Sequence, residues 1–154
     1  MLFLQFQLDQ DRYLVDSSQV VEVLPLLSIK QIPQAPVGVA GAFNYRGKPV
    51  PVIDLSELAL GRKARLQMST RLIIVHYPDG KGTLHLLGLI AEKATEAVRL
   101  DPADFTDSGV SCEGAPYLGP VATDPNGLVQ WIAVTKLLPP AVRDALFQQP
   151  LEWQ

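Results

Sequence analysis

Residues 2–8, LFLQFQL, place Leu2, Leu4, Phe6 and Leu8 on one face and Phe3, Gln5 and Gln7 on the other. That period of two predicts a half-buried strand. Asp9–Arg12 is a polar turn, and Tyr13–Val15 resumes the strand to close a hairpin. Asp16, Ser17 and Ser18 predict a short helical turn, because such side chains accept hydrogen bonds from free backbone amides. Val20–Leu24 is apolar and β-branched except for Glu22, and Pro25 ends it.

The stretch from Ile32 to Leu55, IPQAPVGVAGAFNYRGKPVPVIDL, excludes a long helix, since Pro33 and Pro36 hold the residues before them extended. Ala42–Arg46, Gly47-Lys48 and Pro49–Leu55 read as strand, tight turn, strand. Pro49 and Pro51 share one parity, so their missing amides point toward an edge or a bulge. Asp54 and Ser56 are placed to cap a short helix, SELAL, which Gly61 closes. Arg62–Met68 is a charged connector and the best internal boundary.

The second half repeats this style. Thr70–Tyr77 and Thr83–Ile90 are predicted strands around the loop Pro78–Gly82, followed by another strand, Ala94–Leu100. Asp101-Pro102 opens a helical turn, and residues 106–116 form a polar loop. Tyr117–Thr123 and Gly127–Val134 flank the turn Asp124–Gly127. Thr135–Leu138 predicts a further helical turn, and after Pro139-Pro140 the segment AVRDALF predicts an amphipathic helix. Each half holds several short strands and ends in strand plus helical turn. Two small antiparallel barrels, fused side by side, are the economical architecture.

Composition narrows the function. The 154 residues are 47% hydrophobic and only 19% charged, which excludes a disordered chain. Thirteen prolines, roughly 8% against a usual ~5%, disfavour a helical bundle. A net charge of -3 and a pI of about 5.3 supply no basic field for a phosphate backbone, so no nucleic-acid partner is expected. Cys112, the single cysteine, fits a reducing compartment. The N-terminus lacks a basic n-region and no apolar run reaches the ~18 residues of a membrane span. A cytoplasmic chain without direct membrane insertion is expected.

Candidate chemistry is sparse. His76 and His85 flank one hairpin and could face each other across the ladder, but no cysteine or carboxylate cluster stands at metal-ligand spacing, so no metal and no cofactor are expected. Cys112 lies beside Glu113, and a neighbouring carboxylate raises a thiol pKa. No Gly-x-Ser-x-Gly elbow and no phosphate-binding glycine loop occur. Asp54 reads more simply as a helix cap than as a general base. Trp131 is expected in the core, and Trp153 exposed or docked against a partner. One constellation remains: Glu22 inside an apolar strand and Arg46 at a turn either pair across a barrel surface or stand as independent solvated charges. Spacing alone favours independence.

The string from Ile32 to Leu55 shifts that balance. With Pro36, Gly41, Asn44, Arg46, Gly47 and the strand Pro51–Leu55, it resembles the central motif of the CheW-like family. The segment FQLDQDRYLVDSSQVVEVL is similar to that family's first hairpin and Val-x-Glu-Val strand, and TRLIIVHY and WIAVTKLL follow in its order. The resemblance implies a mostly all-β fold of two five-stranded SH3-like barrels, a single CheW-like domain over residues 1–154. The expected subdomains are about 13–66 and 67–138, with strand 2–8 free to cross between them and a C-terminal helix at 139–148. It implies a non-enzymatic adaptor of bacterial chemotaxis, a two-component signalling system, working in membrane-associated arrays. The partners implied are the regulatory domain of a CheA-type histidine kinase, at a barrel end, and the cytoplasmic tip of a methyl-accepting chemoreceptor, in the groove between barrels. The family's strand glutamate and turn arginine match Glu22 and Arg46, and Gly41, Asn44 and Gly47 match positions that shape the same turn. Val20, Val21, Val23 and Tyr45 complete the expected partner-binding set.

Tyr45 departs from the family's small aliphatic residue, and Ala91-Glu92-Lys93-Ala94 departs from its Val-Asp-x-Val segment. These changes point to an auxiliary or divergent coupling protein. Two rivals stand beside this reading: a CheW-like module with another signalling partner and no receptor contact, and a small hydrolase using Cys112 or Asp54.

Overall fold

The computed structural model describes residues 1–110 and 112–147. Among them, the strands are β1 (Leu2–Leu8), β2 (Asp11–Asp16), β3 (Val20–Pro25), β4 (Val39–Tyr45), β5 (Lys48–Asp54), β6 (Arg71–Pro78), β7 (Leu84–Arg99), β8 (Leu118–Asp124) and β9 (Gly127–Ile132). Two short helices join them, α1 (Leu55–Leu60) and α2 (Pro140–Leu146). Single 3₁₀ turns occupy Ser17–Gln19, Pro102–Asp104 and Val134–Lys136.

Local chemistry accounts for the predicted turns. Asp16 and Asp101 accept bonds from the amides of Ser18 and Ala103 and so cap the first two 3₁₀ turns. Asp54 caps α1 by accepting from the amides of Ser56 and Glu57, and Gly61, at φ 77°, closes it in the left-handed conformation. Ser56 does not share the capping. Its side chain is fully buried and its hydroxyl donates instead to Glu92, 36 residues away.

The strands form one continuous sheet in the order β3-β6-β7-β1-β2-β9-β8, with β4 and β5 joined through β7. Strand β7 explains the architecture. Instead of two strands at Thr83–Ile90 and Ala94–Leu100, one 16-residue strand runs through both barrels. Its first half pairs with β6 and β5, and its second half pairs with β1. Between the halves Lys93 takes φ 52°, and opposite it the β1 register shifts between Gln5 and Gln7. An irregularity of this kind bends a strand and raises its twist, which carries β7 from one barrel wall into the next.

Strand pairing therefore does not divide at residue 66. The first barrel comprises β3, β4, β5, β6 and the first half of β7. The second comprises β1, β2, β8, β9 and the second half of β7. The whole N-terminal hairpin lies in the second barrel, so both the 13–66 and 67–138 divisions mix strands of the two.

Three apolar clusters follow. Phe43, Tyr45, Val50, Val52, Leu72, Ile74 and Ile90 fill the first barrel. Phe3, Leu14, Ala122 and Val129, flanked by Phe105 and Trp131, fill the second. A third cluster, including Phe6, Leu8, Val15, Ile53, Ile73, Val75, Tyr77, Leu87 and Leu89, draws on strands of both barrels. Walls shared in this way are buried on both faces, hence the nearly unbroken apolar runs of β6 and β7. The same reason overturns the half-buried reading of β1: Phe3 faces one core and Phe6 another, and Gln5 is buried, accepting a bond from Arg12 at 3.3 Å.

Trp131 packs at the edge of the second core, edge-on to Phe3 at 4.9 Å. Trp153 lies outside the described residues, as does residue 148 of the expected C-terminal helix. Helix α2 docks through Val142, Leu146 and Phe147 on the third cluster, and Phe147 stacks on His85 at 4.3 Å.

Candidate functional site

Strands β4 and β5 meet at a two-residue turn, with Tyr45 paired to Lys48 and Arg46-Gly47 between them. Both turn residues have positive φ, 52° and 85°, the conformation that matches the twist of a hairpin. The Asn44 side chain accepts from the Gly47 amide at 3.0 Å and holds the turn closed. Gly47 suits its position on backbone grounds, whereas a non-glycine residue at 46 costs about 1 kcal/mol there. The side chain, not the backbone, must account for Arg46.

That side chain meets Glu22. Arg46 Nη2 lies 3.1 Å from Glu22 Oε1, and the Tyr45 hydroxyl donates to the same oxygen at 2.6 Å. The Arg46 guanidinium also sits over the Tyr45 ring, 5.2 Å from its centre. The bond to Glu22, with burial behind it, raises the Tyr45 phenol above its ordinary pKa. The two charges are thus a pair across 24 residues of sequence, not independent solvated groups.

A bulge in β3 sorts its side chains. Val20 pairs with Val75, but the register then shifts, so that Glu22 pairs with Ile74 and Val23 with Ile73. Directly paired residues share a face. Glu22 therefore lies on the face of Ile74, toward the interior of the first barrel, where Tyr45 is packed. Val20 and Val23 lie on the face of Val75 and Ile73, toward the cluster between the barrels. Val21 is the inserted residue, and it and Val23 are each 39% exposed on an edge strand. The expected set accordingly splits into a charged clasp at the rim of one barrel and an apolar strip facing the other way.

Gly41 belongs to neither part. It lies five residues before Arg46, at a register shift between Val39 and Gly41, with φ 147°. A Cβ there would stand 2.0 Å from the Lys30 carbonyl oxygen. Lys30 and Ala42 exchange backbone bonds at 2.9 and 2.8 Å, and this bridge brings the segment after β3 against β4. Gly41 permits that approach and does not shape the Arg46 turn, correcting the expectation drawn from the motif.

A second polar constellation was not anticipated. The connector after α1 sends Arg62 to Asp9 in the β1–β2 turn and to Glu92 at the bend of β7. Glu92 also accepts from the Ser56 hydroxyl at 2.8 Å. Burial opposes ionisation of Glu92, but the bonds from Arg62 and Ser56 outweigh it and hold its pKa below the ordinary value. A carboxylate inside the run LHLLGLIAEKA was the available signal, since a charge in a buried strand requires a partner.

The histidines do not form a pair. His85 is directly opposite Tyr77 and His76 opposite Leu86, so they face opposite sides of the hairpin. His85 Nε2 lies 2.9 Å from Asp79, and chiefly that bond lowers the Asp79 pKa to about 2. Among the described residues no cluster of three or more His, Cys, Asp or Glu side chains is placed to hold a metal ion, and no helix is long and apolar enough to cross a membrane.

The model of the CheW-like domain matches residues 2–141, nearly the whole chain. The chain belongs to the CheW-like family. It is 29% identical over 104 residues to the chemotaxis protein CheW of Helicobacter pylori, covering 67% of this chain and 59% of that protein. It is 28% identical over 103 residues to the protein FrzA of Myxococcus xanthus, covering 67% and 61%. The aligned region thus spans about three-fifths of the length of these curated relatives. The crystal structure of the scaffolding protein TtCheW from Thermoanaerobacter tengcongensis superposes with a TM-score of 0.77 at 27% identity, over 90% of this chain and 87% of that one. The two-barrel SH3-like fold of the CheW-like family is therefore the fold of this chain. Within it, the clasp of Glu22, Tyr45 and Arg46 sits at the rim of the first barrel, and β7 with Glu92 forms the junction between barrels.

Proposed function

We propose that this chain is a non-enzymatic, cytoplasmic adaptor that couples the cytoplasmic tip of a chemoreceptor to the regulatory domain of a CheA-type histidine kinase. The observation that carries the reading is the paired Glu22 and Arg46 on a CheW-like fold, at the strand and turn where the family motif puts its contact charges. Two features support it. The exposed Val21 and Val23 on an edge strand give apolar area for association, and Arg46, with its side chain 76% exposed, gives a charge that selects partner and register. Val20 and Val23 lie on the face of β3 turned toward the second barrel, the side from which a receptor tip seated between the barrels would approach.

The test is calorimetric titration of the chain with the regulatory domain of the CheA-type kinase from the same organism. Saturable micromolar binding that Arg46→Glu removes, with the fold intact by circular dichroism, is the expected result. Binding that survives Arg46→Glu removes the site assignment. Absence of binding by the wild-type chain, with receptor tips also failing to bind, leaves a CheW-like module serving some other signalling partner.

A further inference from the structure

Tyr45 is built into two environments. Its ring belongs to the first-barrel core, 6.4 Å from Phe43 and in the cluster of Val50, Val52 and Leu72, while its hydroxyl emerges at the rim. There it occupies Glu22 Oε1 at 2.6 Å, the same oxygen that receives Arg46 at 3.1 Å, and its ring lies beneath the guanidinium. Arg46 is thus fixed at two points by groups that are themselves anchored, one in the core and one in β3. A long cation at a hairpin tip otherwise explores many rotamers. Among the described residues Arg46 donates only through Nη2, so its other N–H groups have no partner. Lys48 stands beside the same turn and is exposed, while among the described residues the one carboxylate bonded there is already engaged. The hairpin tip of this acidic chain therefore carries a net positive charge.

We infer that Tyr45 is a positioning residue that holds Arg46 in a fixed orientation for a carboxylate of the partner. Glu22 is on this account the base of the clasp and not a group offered to the partner. The inference rests on the adaptor reading for the identity of that partner, but the clasp itself is a property of the free chain. Preordering one rotamer-rich side chain removes that ordering cost from association, an effect of about two- to tenfold in affinity.

The experiment uses the full chain as wild type, Tyr45→Phe, Glu22→Ala and the double variant. Tyr45→Phe retains the packed ring and deletes only the hydroxyl. Without partner, the heteronuclear NOE at Arg46 Nε is expected to show an ordered side chain in the wild type and a more mobile one in Tyr45→Phe, because the Glu22 carboxylate that holds Arg46 loses the hydroxyl that fixes it. Equal mobility in both overturns the inference. With the kinase regulatory domain, Tyr45→Phe is expected to bind about two- to tenfold more weakly, and the double variant no more weakly than Glu22→Ala alone, because without the Glu22 oxygen the Tyr45 hydroxyl has nothing to hold. Unchanged affinity for Tyr45→Phe, or losses that simply add, also overturn it, while leaving the adaptor reading intact provided Arg46→Glu still abolishes binding. If the wild type binds neither the kinase domain nor receptor tips, yet Arg46 is ordered and released by Tyr45→Phe, the adaptor reading falls and the positioning role stands.

Discussion

Replacing Glu92 separates the electrostatic and steric contributions of the polar junction between the barrels. Its side chain is 8% exposed and its Oε2 receives Ser56 and Arg62, each at 2.8 Å. Glu92→Ala leaves the fully buried Ser56 hydroxyl without its acceptor, at a cost of about 1–3 kcal/mol. It also removes one of two carboxylates from Arg62, which is 30% exposed, so that contribution is about 1 kcal/mol. The expected total is about 3 kcal/mol, a fall in Tm of roughly 6–12 °C for a domain of this size. Glu92→Gln keeps the volume and an oxygen acceptor for Ser56, so its cost is expected near 1 kcal/mol. Acid narrows the gap between wild type and Glu92→Gln. The carboxyl is held below its ordinary 4.5 in the fold, so its stabilisation is complete above that value and is lost as pH falls through the lowered one. Urea denaturation at pH 7 and pH 4 measures all of this. Equal losses for the two variants, or a Glu92→Gln penalty that grows in acid, would refute the reasoning.

Two further outcomes follow from the same structure. Gly41→Ala is expected to lower stability by 3 kcal/mol or more, about the cost of a severe backbone clash plus strain at positive φ. Any loss of partner binding should then track the loss of fold, and a well-folded Gly41→Ala that fails to bind would restore Gly41 to the contact surface. Asp79 should titrate near pH 2 by carbonyl NMR and move up toward its ordinary 3.8 in His85→Gln. Because its pKa is lowered by folding, it stabilises the β6–β7 hairpin above about pH 4 and loses that effect toward pH 2. An unshifted Asp79 would show that the bond to His85 does not persist in solution.

The candidate site was legible in its members but not in their arrangement. Arg46, Gly47 and Asn44 announced a turn because each acts within three residues of itself. Glu22 and Arg46 were recognisable through a motif, while their spacing pointed to independence. Only the closure of the first barrel brings them to 3.1 Å, with Tyr45 supplying the shared floor. Gly41 was legible only as a position in the motif, because the Lys30 carbonyl that requires a glycine there becomes a neighbour through the bridge to Ala42.

By itself the sequence determined where most strand segments lie, the Asp16, Asp54 and Asp101 caps, the Gly61 stop and the hairpin turns. These depend on side chains and backbone groups a few residues apart, whose geometry is set by local sterics and hydrogen bonding. Tertiary structure alone decided that β7 is one strand serving two barrels, that the N-terminal hairpin belongs with β8 and β9, and that β1 is buried on both faces. It alone joined Asp9, Arg62, Glu92 and Ser56. A strand pattern records which side chains avoid water, but not which of several apolar surfaces covers them. That choice is made by pairings across 30 to 112 residues, and no local window contains both partners.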